Sequence, residues 1–328
     1  MTMKRITTLL RVLALAGAIA PMWAQAADFP SKPVRVVVPY SPGGPADALM
    51  RAVGQKLSDK WGQPVIVENR PGANEIIGAD TVIKAAPDGY TLLLGSEAAF
   101  SLNPQLYAKL SYKPADLAPV SRLVTAQLML VTRPDFPADD VAGLIKHLKA
   151  NPGKYTYGIT GIGGVLHLAG AWFNQLYGVQ TSEVPYKGLP LAMQDVMAGR
   201  VDMLFAIAGG PMPHVATGKL KAIALAGPHR VAIAPDVPTF AQAGYPEFDA
   251  SVYFALAAPA GTPEDVRRKV ADDVGAVVSD ADFVARNLTA IGFEPVRETP
   301  QAFAAFLELD RGVAAQRVQA AGVKLDQP

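Results

Sequence analysis

The 328 residues exceed one ordinary small domain and fit one large or two medium α/β domains. Half of them are hydrophobic and 18% are charged, which excludes a disordered or fibrous chain. Lysine plus arginine total 30 against 29 for aspartate plus glutamate; with no basic surplus to neutralise phosphates, no nucleic-acid partner is expected.

The N-terminus reads as a secretory signal peptide over residues 1–26. Lys4, Arg5 and Arg11 supply positive charge, Val12 to Ala20 is a short apolar stretch, and Ala24-Gln25-Ala26 is a small-x-small cleavage site. The apolar run falls well short of the ~20 residues that a spanning helix needs. Cleavage near Ala26 removes three cations and no anions, so the mature balance is 27 − 29 = −2. No cysteine is present, which excludes disulfides, thiolate metal sites, a cysteine nucleophile and a lipid-modified N-terminal cysteine. A large exported domain without disulfides suits the bacterial periplasm, where the mature chain is expected to diffuse freely as a monomer.

Beyond residue 26, short β-branched runs alternate with amphipathic stretches, the pattern of mostly parallel sheets flanked by helices. Strands are expected at Val34–Val38, Val65–Val67 and Thr91–Gly95, with helices through Leu49, Val53 and Leu57 and over Ile76–Ala86. After an apolar segment at 123–131 the alternation restarts. Helices are expected over 138–150, 164–177 and 189–197, and strands at 155–158, 183–184, 201–206 and 222–226. A strand at 252–257 precedes helical stretches near 263–279, 281–291 and 300–321. The apolar segments at 123–131 and 252–257 bracket a self-contained block. Lobe 1 is therefore expected from 27–125 and 251–328, and lobe 2 from 126–250. Two crossings make a hinge of the kind that closes on ligands. No internal sequence repeat is evident.

Three strand-exit turns are candidates for chemistry. Ser41-Pro42-Gly43-Gly44-Pro45-Ala46-Asp47 joins a strand to a helix, where open α/β sheets bind ligands. Its glycines allow close approach, the helix N–H groups favour an anion, and Asp47 is expected to cap the helix. A tight capped turn with no ligand fits the same residues equally well. Tyr157-Gly158-Ile159-Thr160-Gly161-Ile162-Gly163-Gly164 repeats the logic further along, and His167, one turn into the next helix, reads as structural. In Val184-Pro185-Tyr186-Lys187-Gly188, Tyr186 is favoured over Lys187, which reads as a solvated cation. No nucleotide loop, hydrolase elbow, metalloprotease motif or zinc spacing occurs, so no enzyme activity, cofactor or metal is expected.

The chain resembles the solute receptors of tripartite tricarboxylate transporters, the Bug-type receptors. Phe29-Pro30-Ser31-Lys32-Pro33-Val34-Arg35, Pro39-Tyr40-Ser41-Pro42-Gly43-Gly44 and Val67-Glu68-Asn69-Arg70-Pro71-Gly72-Ala73 carry the likeness. So do Ala86-Pro87-Asp88-Gly89-Tyr90-Thr91-Leu92, Asn103-Pro104-Gln105-Leu106-Tyr107 and Ala118-Pro119-Val120. Val184-Pro185-Tyr186-Lys187-Gly188, Pro235-Asp236-Val237-Pro238-Thr239 and Leu256 to Pro263 complete nine motifs in the family's order.

The resemblance implies a two-lobed, type II-like periplasmic binding protein that hands a small carboxylate to integral membrane permease subunits. Such receptors grip the carboxylate with main-chain amides and water. Carried over, the contacts fall at Ser41, Gly43, Gly44 and Ala46, at Ser96 and Phe100, at Thr160, Gly161 and Gly164, at Tyr186, and at Ala206. Three departures bear on the ligand. Pro45 and Ala46 replace a Gly-Thr pair, losing a donor N–H and a hydroxyl. Ala206 stands where an aspartate is usual, which argues against an amino-acid ligand. Glu97-Ala98-Ala99-Phe100 replaces a more polar loop, and Phe100 is expected as an aromatic wall. An aromatic or otherwise apolar mono- or dicarboxylate is the expected ligand. A sensor that presents its ligand to a membrane kinase, or an enzyme on the same fold, are the alternatives.

Overall fold

Short apolar runs, from the valine-rich 34–38 to Met203-Leu204-Phe205-Ala206-Ile207, form the strands of two sheets. The computed structural model describes residues 29–326, so the signal segment and its cleavage site lie outside the described residues. From Lys32 onward the chain is one compact unit; ahead of it the Phe29-Pro30 peptide is cis.

In the first half of the chain, β1 (Val34–Val38) leads to helix α1 (Pro45–Trp61), β2 (Val65–Asn69), helix α2 (Ile76–Ile83) and β3 (Thr91–Ser96). Then β4 (Leu117–Ala126) runs almost directly into β5 (Leu128–Thr132). Next come α3 (Val141–Ala150), β6 (Tyr155–Ile159), α4 (Val165–Tyr177), β7 (Thr181–Pro185), α5 (Leu189–Met197), β8 (Met203–Ile207) and β9 (Lys221–Ala226). The chain finishes with β10 (Val252–Pro259), α6 (Glu264–Val278), β11 (Phe293–Pro295) and α7 (Pro300–Ala321). Local chemistry sets several of these limits. Proline opens α1, where a missing N–H costs nothing, and Gly62 closes it in the left-handed conformation (φ 63°). Thr299 caps α7 by accepting the N–H of Ala302.

The two sheets have the same plan. The first reads β2-β1-β3-β10-β4-β11 across, and the second β7-β6-β8-β5-β9. In the first, β1 pairs in parallel with β2 and β3, while β10 is antiparallel to both β3 and β4 and β11 is antiparallel to β4. Hence β1, β2, β3 and β4 share one direction. In the second, β6 is parallel to β7 and β8, and β5 is antiparallel to β8 and β9. In each sheet four strands therefore share one direction with an antiparallel strand wedged among them that arrives from the other half, and the first sheet adds antiparallel β11 at its edge. The result is a two-lobed α/β fold.

Sequence reading misses two features. The apolar segment at 123–131 is two strands that part at Gln127, and β11 is too short for periodicity to register. The repeated sheet plan is also invisible in the sequence, since only the topology recurs.

A core under the first sheet gathers Val37, Leu93, Phe100, Leu106, Ala257 and Phe303, and takes in Leu168 from α4. The second core gathers Met129, Val196, Leu204, Ala206 and Leu225. On the other face of the second sheet, Phe205, Phe173, Phe240 and Phe248 pack ring against ring. Helix α4 approaches β6 closely because residue 170 is glycine; a Cβ there would fall 2.2 Å from the Tyr157 ring. Among the described residues no helix is long and apolar enough to cross a membrane.

Candidate functional site

In both halves a strand ends, turns through glycine and enters a helix. After β1, Gly43 adopts φ 83° and Gly44 (φ −79°, ψ 169°) is the N-cap of α1. Asp47 is not the cap expected of it. It sits inside the first turn, accepting the Gly43 N–H at 2.9 Å, the Asn69 amide at 2.9 Å and the Arg51 guanidinium at 3.0 Å. Burial alone would raise the Asp47 pKa, but those three donors outweigh it and hold the carboxyl below the usual range. The turn is thus braced from behind. Ser41 and Gly43 are exposed at its tip and Gly44 is half-buried, whereas Ala46 is 3% exposed and faces the core.

After β6, Gly163 adopts φ 77° and Gly164 (φ −73°, ψ 165°) is the N-cap of α4. The Gly163 N–H donates to His167 Nδ1 at 2.8 Å, so the imidazole carries its proton on Nε2 and donates to Glu183 at 2.8 Å. Thr160 and Gly161 are exposed and Gly164 is half-buried. The leading N–H groups of α1 and α4 have no carbonyl in their own helix to bond, and both helix ends carry partial positive charge.

A third wall comes from the segment after β2, which motif reading did not single out. Ala73, Asn74 and Glu75 are consecutive non-glycine residues at φ 47°, 49° and 74°, each costing on the order of 1 kcal/mol. Side chains hold them there. The Asn74 amide donates to Asn103 Oδ1 at 2.8 Å, and the Asn103 amide donates back to the Asn74 carbonyl at 2.8 Å. Asn74 also reaches across to the second half, donating to the Gly163 carbonyl at 3.3 Å. Glu75, 5% exposed, accepts from the Tyr40 hydroxyl, the Ser96 hydroxyl, the Ser96 N–H at 3.0 Å and the Ala99 N–H. Tyr40 and Asn103 lie within the recognised motifs, and Asn74 and Glu75 just beyond one, but the left-handed turn that gathers them has no sequence signature.

The remaining expected contacts divide. Ser96 lies at the end of β3, but both its N–H and its hydroxyl are committed to Glu75. Phe100 is 3% exposed, stacked on Tyr253 and edge-on to Phe303; it is a core residue and not an aromatic wall. Ala206 is fully buried in the second core, because side chains alternate along β8 and residues 204, 206 and 208 share the inward face. Its methyl packs among core side chains. Tyr186 is half-buried beside the β6 end, with its hydroxyl donating to Asp195 at 2.7 Å. Burial first, then Asp195, pushes its pKa up to about 12.

Helix α7 presses against α4 and joins the halves. Arg317 on α7 pairs with Glu97 at 3.3 Å, donates to the Asp249 carbonyl at 2.6 Å and lies 5.1 Å over the Trp172 ring. The cavity left between Glu97, Trp172 and Arg317 is about 10 Å³, so this seam is closed. A larger groove of about 400 Å³ runs along α4 and β7, beside Tyr157, His167, Glu183 and Val323. None of Ser41–Ala46, Thr160–Gly164 and Tyr186 lines it.

Comparison with known proteins matches residues 49–319 to a family described as tripartite tricarboxylate transporter family receptor. The solved structure of the periplasmic binding protein BugD is 32% identical, with a TM-score of 0.80 over 90% of this chain and 99% of that one. An R. palustris protein solved with adipate is 29% identical (TM-score 0.83, 90% of this chain, 99% of that one). The protein MatC from Rhodopseudomonas palustris, solved with bound malate, is 30% identical (TM-score 0.79, 88% and 100%).

Proposed function

The chain belongs to the tripartite tricarboxylate transporter receptor family, and on that premise we propose that it captures a small carboxylate between its lobes and delivers it to the permease subunits of such a transporter. It works in the periplasm, as a monomer, after cleavage near Ala26, and it binds without turning its ligand over. Lobe 1 comprises 27–125 and 251–328, lobe 2 comprises 126–250, and the hinge runs through the β4–β5 joint and the approach to β10.

The observation that carries this reading is the pair of glycine turns at the ends of β1 and β6, each opening a long helix. Such a pair offers main-chain N–H groups and two positive helix ends to one anion. The likeness to proteins solved with adipate and malate supports the carboxylate. With Phe100 and Ala206 in the cores, an aliphatic chain suits the ligand better than an aromatic one.

The test is a thermal-shift and calorimetric screen of the mature protein against aliphatic mono- and dicarboxylates, citrate, aromatic carboxylates and amino acids. A ligand at ~100 times its dissociation constant stabilises by ~2.7 kcal/mol. Saturable binding of one carboxylate without consumption is the expected result. Turnover, or no response to any carboxylate, would overturn the receptor reading.

A further inference from the structure

At the C-terminal ends of β1 and β3, neighbours inside the first sheet, a carboxylate is already in place, and it belongs to the protein. Glu75 takes the Tyr40 hydroxyl from the β1 end, and the Ser96 hydroxyl and N–H and the Ala99 N–H from the β3 end. Strand ends of this kind are where an open α/β sheet receives a ligand, and the neighbouring Asn74 touches the glycine turn of the opposite lobe. Three left-handed non-glycine residues in a row are the local cost of putting that side chain there.

We propose that Glu75 is a built-in occupant of the first lobe's anion seat, so that the receptor takes ligands with a single carboxylate whose other end is uncharged or cationic. This rests on the receptor reading above and narrows its substrate class. A second ligand carboxylate arriving at lobe 1 would find the donors of β1 and β3 saturated and a carboxylate facing it. Burial already holds the Glu75 carboxyl above its ordinary range against the pull of Ser96 and Tyr40, and Glu97, also buried, is close enough to act on it electrostatically. A further anion would compound both penalties.

The experiment compares wild type with E75G, whose glycine suits the left-handed backbone, and with E75Q, which keeps the shape and removes the charge. Calorimetry with hexanoate and adipate reads selectivity. Wild type is expected to favour hexanoate by about tenfold, and both variants to shift toward adipate. Wild type binding adipate as tightly as hexanoate overturns the proposal, and so does an unchanged preference in E75Q. Acetate gives a second readout. It should raise the melting midpoint of E75G above any shift in wild type, by refilling the vacated seat, and the excess should shrink in the E75G/S96A double variant. No excess in E75G overturns the seat. Should no carboxylate shift wild type at all, the receptor reading fails, while the acetate response of E75G still decides who occupies the seat.

Discussion

Asp47 and His167 occupy the same place in the two lobes. Each stands three residues beyond a helix N-cap glycine, Gly44 or Gly164, and each accepts the N–H of a left-handed glycine four residues back, at 2.9 and 2.8 Å. Both are 3% exposed. A carboxylate and an imidazole, unrelated in sequence, serve the same end by folding the turn back on its helix so that its outer face stays open. The other nitrogen of His167 is anchored by Glu183, and the other oxygen of Asp47 by Asn69.

Replacing His167 by alanine leaves the buried Gly163 N–H without an acceptor. The expected loss is about 1–3 kcal/mol in urea unfolding, accompanied by weaker carboxylate binding as the turn loosens. Full affinity in a destabilised H167A would show that the turn does not touch the ligand.

Glu97 makes stability depend on pH. Burial, reinforced by Asp310, Glu75 and Asp249 and opposed by Arg317, pushes its pKa up to about 7 from 4.5. The native state then holds the proton more tightly than the unfolded chain does. Its stabilising contribution is complete below pH ~4.5 and is lost as pH rises through about 7. Wild type should lose stability relative to E97Q between pH 5 and 7.5, by on the order of 2–3 kcal/mol. Parallel urea curves for the two proteins across that range would rule it out.

Gly170 should resist enlargement. Its alanine variant puts a methyl group into a Tyr157 ring whose hydroxyl is tied to Glu183 at 3.3 Å, and overpacking of this kind costs about 1–3 kcal/mol. A thermal midpoint equal to wild type would mean that α4 shifts freely off β6.

Phe100 separates core from pocket. Trimming it to leucine should cost about 1–3 kcal/mol of stability and leave the ranking of carboxylate ligands untouched. A changed ranking would place its ring against the ligand after all.

Much of this architecture is legible in the chain because Val34–Val38 and its like are strongly β-branched and are followed by glycine turns. The turn tips at Ser41–Gly44 and Thr160–Gly164 could be located for the same reason. Side-chain facing could not. Whether Ala206 points into the core or the cleft depends on the parity of β8, and one residue of register reverses it. The Ala73–Glu75 turn is harder still, since of those residues Asn74 alone tolerates positive φ readily and Ala73 and Glu75 do not. Asn103, Ser96 and Tyr40, supplied by three other segments, select that conformation, and only the assembled lobe brings them together.

The antiparallel strand β10 lies between β3 and β4, which ties the order of synthesis to the order of assembly. Until residue 259 has left the ribosome, the first sheet is an open seam, with β2-β1-β3 on one side and β4 on the other. The polypeptide emerging first therefore has no finished first lobe to fold into. A fragment stopping at residue 126 should behave as an unfolded chain, and the protein closes on itself only once its last quarter has arrived.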